Sequence, residues 1–225
     1  MRITGRSYAQ PCVAPAARLR IGAVMGSSGL LTTNLIRMKK YDIIYADPAW
    51  LYKCGKNHLA KKSMINGKDD IQYNSMPIDV MKTLPINEIA NENCLLFMWV
   101  TSPFLKIGID LLNDWSFDFS TVAFVWYKEK TNPGSYTLSE TELCIVAKKG
   151  KIPQPRGSRK ERQFLSELRT KHSKKPDEIR KRIERMFPKQ TKIELFARQR
   201  YDGWDAWGNE VQSDVNLETD VSYCP

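Results

Sequence analysis

Asp47-Pro48-Ala49-Trp50 sets an acid, a proline, a small residue and an aromatic side by side. These types suit chemistry on a flat amine. A carboxylate and a backbone carbonyl can accept both hydrogens of an exocyclic NH2 while an aromatic face stacks on its ring. The stretch before them, Tyr41 to Ala46, is a short β-rich apolar run of the kind that forms a buried strand of a parallel sheet. Ligands bind at the carboxyl ends of such strands. Asp47 to Trp50 are therefore expected at the lip of a pocket.

Three further pieces stand near the other end of the chain. They are Ser173-Lys174-Lys175-Pro176-Asp177-Glu178, Glu194-Leu195-Phe196-Ala197-Arg198, and Gly203-Trp204 followed by Gly208-Asn209-Glu210. An amide next to a carboxylate, as at Asn209 and Glu210, can grip a vicinal diol. Together with these pieces, Asp47 to Trp50 resembles the Asp-Pro-Pro-Trp motif of amino-group methyltransferases acting on adenine N6. The chain is similar to the MT-A (seventy) family from about Met38 to Glu210, with the pieces in family order and spacing.

The resemblance implies a Rossmann-like α/β fold, S-adenosylmethionine as cofactor, and transfer of its methyl group to N6 of adenine in nucleic acid. It implies that Asp47, Pro48, Ala49 and Trp50 form the catalytic motif. Asp47, Ser173, Lys175, Phe196, Arg198, Asn209 and Glu210 would line the cofactor side, with Phe196 and Arg198 flanking adenosine and Asn209 and Glu210 holding the ribose. Tyr52 and Glu142 would face the target base. One departure matters: Ala49 replaces the family's second proline. It adds an N–H and lifts the restriction that a following proline would place on Pro48, so weakened rather than abolished activity is expected.

The elements that must position these groups follow in chain order. Residues 1–37 carry five arginines, no acid and many small residues. A transit peptide, a flexible tail and an upstream extension of the reading frame all fit; a poorly ordered extension is the favoured reading. Leu51 to Tyr73 reads as a mobile loop beside the pocket. Met76 to Ile89 reads as a helix, Cys94 to Val100 as a second buried strand, and Thr101 to about Asn113 as a helix opened by Pro103. Phe117 to Tyr127 and Glu142 to Ala147 give further strands. A helix is expected from about Ser173 to Met186, and Lys192 to Ala197 gives the last core strand. A methyltransferase domain over 38–210 and a polar, fraying tail over 211–225 complete the division.

Charge narrows the partner. The chain of 225 residues carries +10 overall, yet Lys148 to Arg200 alone holds nineteen Lys and Arg against six Asp and Glu. Focusing of this kind is the electrostatic footprint of phosphate binding. Arg156, Arg159, Lys160 and Arg162 sit in a Pro/Gly-punctuated loop suited to a nucleic-acid backbone. Five scattered cysteines without a Cys-x-x-Cys pair read as reduced intracellular thiols, and two histidines make a histidine metal centre an unsuitable reading. No metal is expected. No apolar run approaches the ~20 residues of a membrane span.

The expected protein is a mixed, mostly parallel α/β sheet with helices on both faces and its catalytic motif ahead of its cofactor motif. DNA is favoured over RNA through likeness to compact phage-type family members. That likeness also favours a cytoplasmic enzyme encoded by a bacterium or phage, and leaves organelle or nuclear targeting, and a homo- or heterodimer, open. The rivals are an RNA adenosine methyltransferase, a catalytically quiet nucleic-acid-binding subunit of the same fold, and a nicotinamide oxidoreductase. The last lacks the Gly-x-Gly-x-x-Gly that should follow a strand.

Overall fold

A computed structural model describes residues 38–50, 75–134, 136–151, 157–169 and 174–217. Among these residues, seven strands form one sheet: β1 (Tyr41–Ala46), β2 (Ala90–Val100), β3 (Asp118–Asn132), β4 (Ser139–Lys149), β5 (Phe164–Ser166), β6 (Lys192–Leu195) and β7 (Asp205–Trp207). Their spatial order is β5-β3-β4-β2-β1-β6-β7. β1 lies parallel to both β2 and β6, β6 to β7, and β3 to β5; β4 alone runs antiparallel to its neighbours β2 and β3. The consequence for the site is direct. The carboxyl ends of six strands and the amino end of β4 share one edge.

Alternation along the strands divides the core in two. Ile44 and Ala46 of β1 and Leu96, Met98 and Val100 of β2 face one layer. That layer is closed by α1 (Ile78–Thr83), α2 (Ile86–Ile89) and α3 (Leu105–Asp114), through Met81, Ile86, Ile89, Leu111 and Leu112. Ile43 and Tyr45 of β1, Phe97 and Trp99 of β2, and Phe124 and Trp126 of β3 face the opposite layer. There Ile179 and Ile183 of α4 (Asp177–Met186) pack with Phe187. Helices on both faces of a mostly parallel sheet agree with the expected fold.

Several boundaries differ, each for a local reason. The helix expected over Met76–Ile89 is two short helices. Leu84 is extended at ψ 129° ahead of Pro85, as the residue before a proline prefers. The helix expected from Ser173 begins at Asp177, with Pro176 as its cap residue and no side-chain cap bond; Ser173 lies outside the described residues. A three-residue 3-10 turn, Ser102–Phe104, precedes α3. The tail expected to fray is packed through residue 217. Arg200 pairs with Asp214 at 2.8 Å, Asp214 accepts the Ala206 N–H at 2.8 Å, and Leu217 is wholly buried. Val215 packs against the same core, and residues 218–225 lie outside the described residues.

Candidate active site

β1 delivers Asp47 to the sheet edge, and its alternation continues past the strand. Ile43, Tyr45 and then Asp47 fall on the α4 side. Lys175, two residues before α4, meets Asp47 there. Its ammonium lies 2.8 Å from Asp47 Oδ1 and 3.4 Å from Glu142 Oε2. Glu142 reaches the same point because β4 runs backwards: its amino end lies where the other strands end. The approach of Lys175 to the Trp99 ring, 5.7 Å to the centroid, adds a cation–π contact from β2. All three charged groups are largely buried, with side chains 22%, 14% and 15% exposed for Asp47, Lys175 and Glu142.

The electrostatics follow from that burial. Desolvation pushes the Asp47 carboxyl above its ordinary range, and Glu142 adds to this while Lys175 opposes it. Burial penalises the charged form of Lys175, but the two carboxylates outweigh it and raise its pKa. Lys175 is thus an ammonium throughout the neutral range, shared between two acids.

The short loop after Asp47 is held by its own backbone. Trp50 N–H donates to the Pro48 carbonyl at 2.9 Å, and Met76 N–H donates to the Ala49 carbonyl at 3.1 Å. A carbonyl has two acceptor lone pairs, so among the described residues Pro48 retains one. Trp50 stacks on Phe104 with ring centroids 5.3 Å apart and donates its indole N–H to the Trp99 carbonyl at 3.3 Å. The Trp99 indole in turn donates to the Tyr45 hydroxyl at 2.6 Å. The aromatic wall is therefore tied into β1 and β2.

The third and fourth motifs lie at the adjoining strand ends. Leu195 closes β6, and Phe196 turns the chain with a positive φ of 60°. Its ring meets Trp207 edge-on at 5.3 Å. Ala197 N–H donates to the Trp207 carbonyl at 2.9 Å. A Cβ on Gly208 would sit 2.2 Å from the Ala197 oxygen, so only glycine admits this crossing. Asn209 and Glu210 follow, both exposed, with Glu210 3.9 Å from Arg198. Asp47, Phe196, Arg198, Asn209 and Glu210 thus all follow the neighbouring strands β1, β6 and β7 at their carboxyl ends.

The basic residues fall elsewhere. Gly157 and Ser158 donate to the carbonyls of Met186 and Arg185 at the carboxyl end of α4, and Arg182 donates to the Arg162 carbonyl. Arg159, Lys160 and Arg162 are exposed beside that end, roughly 15 Å along the helix from Lys175. They are not brought to the strand-end edge. Tyr52 and Arg156, with all of the Leu51–Tyr73 loop, lie outside the described residues.

A buried charge beside Glu142 was not foreseen from the sequence. Lys128 is 4% exposed, and its ammonium lies 3.4 Å from Glu142 Oε1. The signal was present: Phe124, Trp126 and Lys128 alternate inward on β3.

A mostly parallel sheet with helices on both faces, its polar groups gathered at the strand-end edge, defines a Rossmann-like methyltransferase fold. The MT-A70 family profile matches residues 41–210, which includes every motif above. The chain belongs to this family, whose members use S-adenosylmethionine. It is 44% identical over 184 residues to the type II methyltransferase M.MunI of a Mycoplasma species, covering 77% of this chain and 78% of that protein. It is 28% identical over 195 residues to the human N(6)-adenosine-methyltransferase catalytic subunit METTL3, covering 81% of this chain and 30% of that longer protein. An MT-A70-like protein of Arabidopsis thaliana is 26% identical over 181 residues.

Proposed function

We propose that the chain methylates N6 of adenine in nucleic acid, with DNA as the favoured polymer. The observation that carries this reading is Lys175 held between Asp47 and Glu142 at the strand-end edge, beside the turn from Phe196 to Glu210. The 44% identity to a type II methyltransferase, over most of both chains, weighs toward DNA. An intracellular setting, in which such an enzyme meets bacterial or phage DNA, accompanies this reading.

The groups at the edge fit S-adenosylmethionine by their chemistry. Phe196 offers an aromatic surface for adenine, Asn209 and Glu210 offer an amide and a carboxylate for the ribose diol, and Asp47 and Lys175 offer charges for the amino-acid end. When bound, the cofactor supplies an electrophilic methyl carbon on a sulfonium.

The remaining work belongs to this chain. Asp47 and the free lone pair of the Pro48 carbonyl accept the two N6 hydrogens. That draws the nitrogen toward a pyramidal, more nucleophilic geometry. Once N6 carries the methyl group, Asp47 is placed to take up the proton that N6 gives up. Trp50, braced by Phe104, walls the base, and Lys175 holds Asp47 and Glu142 in place without reorganisation. An adenine in a duplex must be flipped out to reach this position.

The test is transfer of labelled methyl to paired single- and double-stranded DNA and RNA, with adenine-free controls. Adenine-dependent incorporation, strongest on DNA, is expected. Cofactor binding without incorporation into any polymer would instead support a quiet binding subunit.

A further inference from the structure

Lys128 lies outside every motif of the sequence, yet it is among the few charged side chains buried in the described residues. Its ammonium contacts one oxygen of Glu142 at 3.4 Å, while Lys175 contacts the other at 3.4 Å and Asp47 at 2.8 Å. The four groups form a row of alternating sign, Lys128, Glu142, Lys175 and Asp47, running across β3, β4 and β1 under α4. Two cations and two anions leave it neutral. We infer that Lys128 is a positioning residue for the proposed methyl transfer: it secures Glu142 and so leaves Lys175 centred on Asp47.

The physical reason is the cost of unbalanced charge in a dry site. Without Lys128, the single ammonium of Lys175 must serve two carboxylates. Glu142 then draws Lys175 away from Asp47, or the cluster takes up a proton. Either change removes the ionised, oriented Asp47 that has to accept the N6 hydrogens. Lys128 acts through Glu142, its ion-pair partner. The other titratable groups near the row are Tyr45 on β1, Cys144 on β4, Glu194 on β6 and Arg198 after β6. None of them contacts Glu142 in place of Lys128 in the ion pairs of the described residues.

This inference rests on the methyltransferase reading, so its test has one arm that needs no turnover. In the unliganded full chain, the Asp47 carboxyl carbon is followed by 13C NMR through a pH titration. Lys128→Met, which keeps length and burial, should move its midpoint up by about one pH unit, a tenfold change in proton affinity. Lys128→Arg should leave it near the wild-type value. In a Glu142→Gln background, Lys128→Met should add no further shift, because the link through Glu142 is already cut; this pair also removes both charges together and protects the fold. In the turnover arm, Lys128→Met should lower kcat about tenfold at neutral pH. It should move the acidic limb of the rate profile upward, with the KM for S-adenosylmethionine within twofold of wild type. An Asp47 midpoint unmoved by Lys128→Met, or an equal shift in the Glu142→Gln background, overturns the role of Lys128. Wild-type protein without methyl transfer to any polymer would overturn the reading beneath it, whatever the titration shows.

Discussion

The two halves of the site are built by different means. Around Asp47, Lys175 and Glu142, buried side chains of opposite charge fix one another beneath α4. Around Phe196 to Glu210, the backbone does the shaping: a positive φ at Phe196, a glycine crossing at 208, and polar side chains left in solvent. The first half stores its precision in electrostatics, which burial strengthens. The second stores it in the path of the chain. Charge changes should therefore strike the rate, and backbone changes should strike cofactor affinity and stability.

The largest effect should come from Lys175→Met. It leaves two buried carboxylates facing each other, so methyl transfer should fall about a thousandfold and stability by about 3 kcal/mol. Steady-state kinetics and chemical denaturation read the two losses. A variant with near-normal kcat would break the charged half of the comparison.

Gly208→Ala probes the other half. The new methyl meets the Ala197 backbone, so β6 and β7 must part slightly. A loss of about 1–3 kcal/mol is expected, with cofactor affinity by calorimetry down about tenfold. The rate at saturating cofactor should change less than the affinity.

A third test lies behind the charged half. Glu194, buried near Asp47, is pushed from its ordinary 4.5 up to about 7, by burial first and with Arg180 opposing. A carboxyl raised on folding adds stability in its protonated form. That contribution is present below about pH 4.5 and is lost as pH rises through about 7. Glu194→Gln should remove this decline, on the order of 2 kcal/mol across the window, in denaturation midpoints measured from pH 5 to 8.

Ala49→Pro should have the smallest effect. The two backbone bonds that hold the loop have Trp50 and Met76 as donors, so proline at 49 removes neither. A gain of about 0.5 kcal/mol through the unfolded state is expected, with the rate unchanged or raised a few-fold. A fall in rate would show that the Ala49 N–H is used.

The sequence made the charged half legible in pieces. An apolar run ending in Asp47 announced a strand and its lip. The motif at Lys175 and the acid at Glu142 could be placed only by resemblance, because nothing local tells an acid at a strand start to turn inward. The reversal of β4 supplied that answer, and it is a property of the topology. Lys128 was readable from alternation with Phe124 and Trp126, but a lysine at a strand end suggests solvent. β5 and β7 escaped notice because three residues carry no period. The broken helix at Pro85 was a plain breaker signal inside a helical pattern. The exposed arginines at 159 and 162 show the opposite limit: charge in the sequence says nothing of which end of a helix it will meet.

The most direct measurement pairs wild-type protein with Asp47→Ala and analyses the methylated nucleosides released from DNA. Both proteins should be equally folded by circular dichroism. Asp47 as acceptor of the N6 hydrogens predicts N6-methyladenine from wild type and at least a thousandfold less from Asp47→Ala. An Asp47→Ala protein that still produces N6-methyladenine at a comparable rate would contradict it.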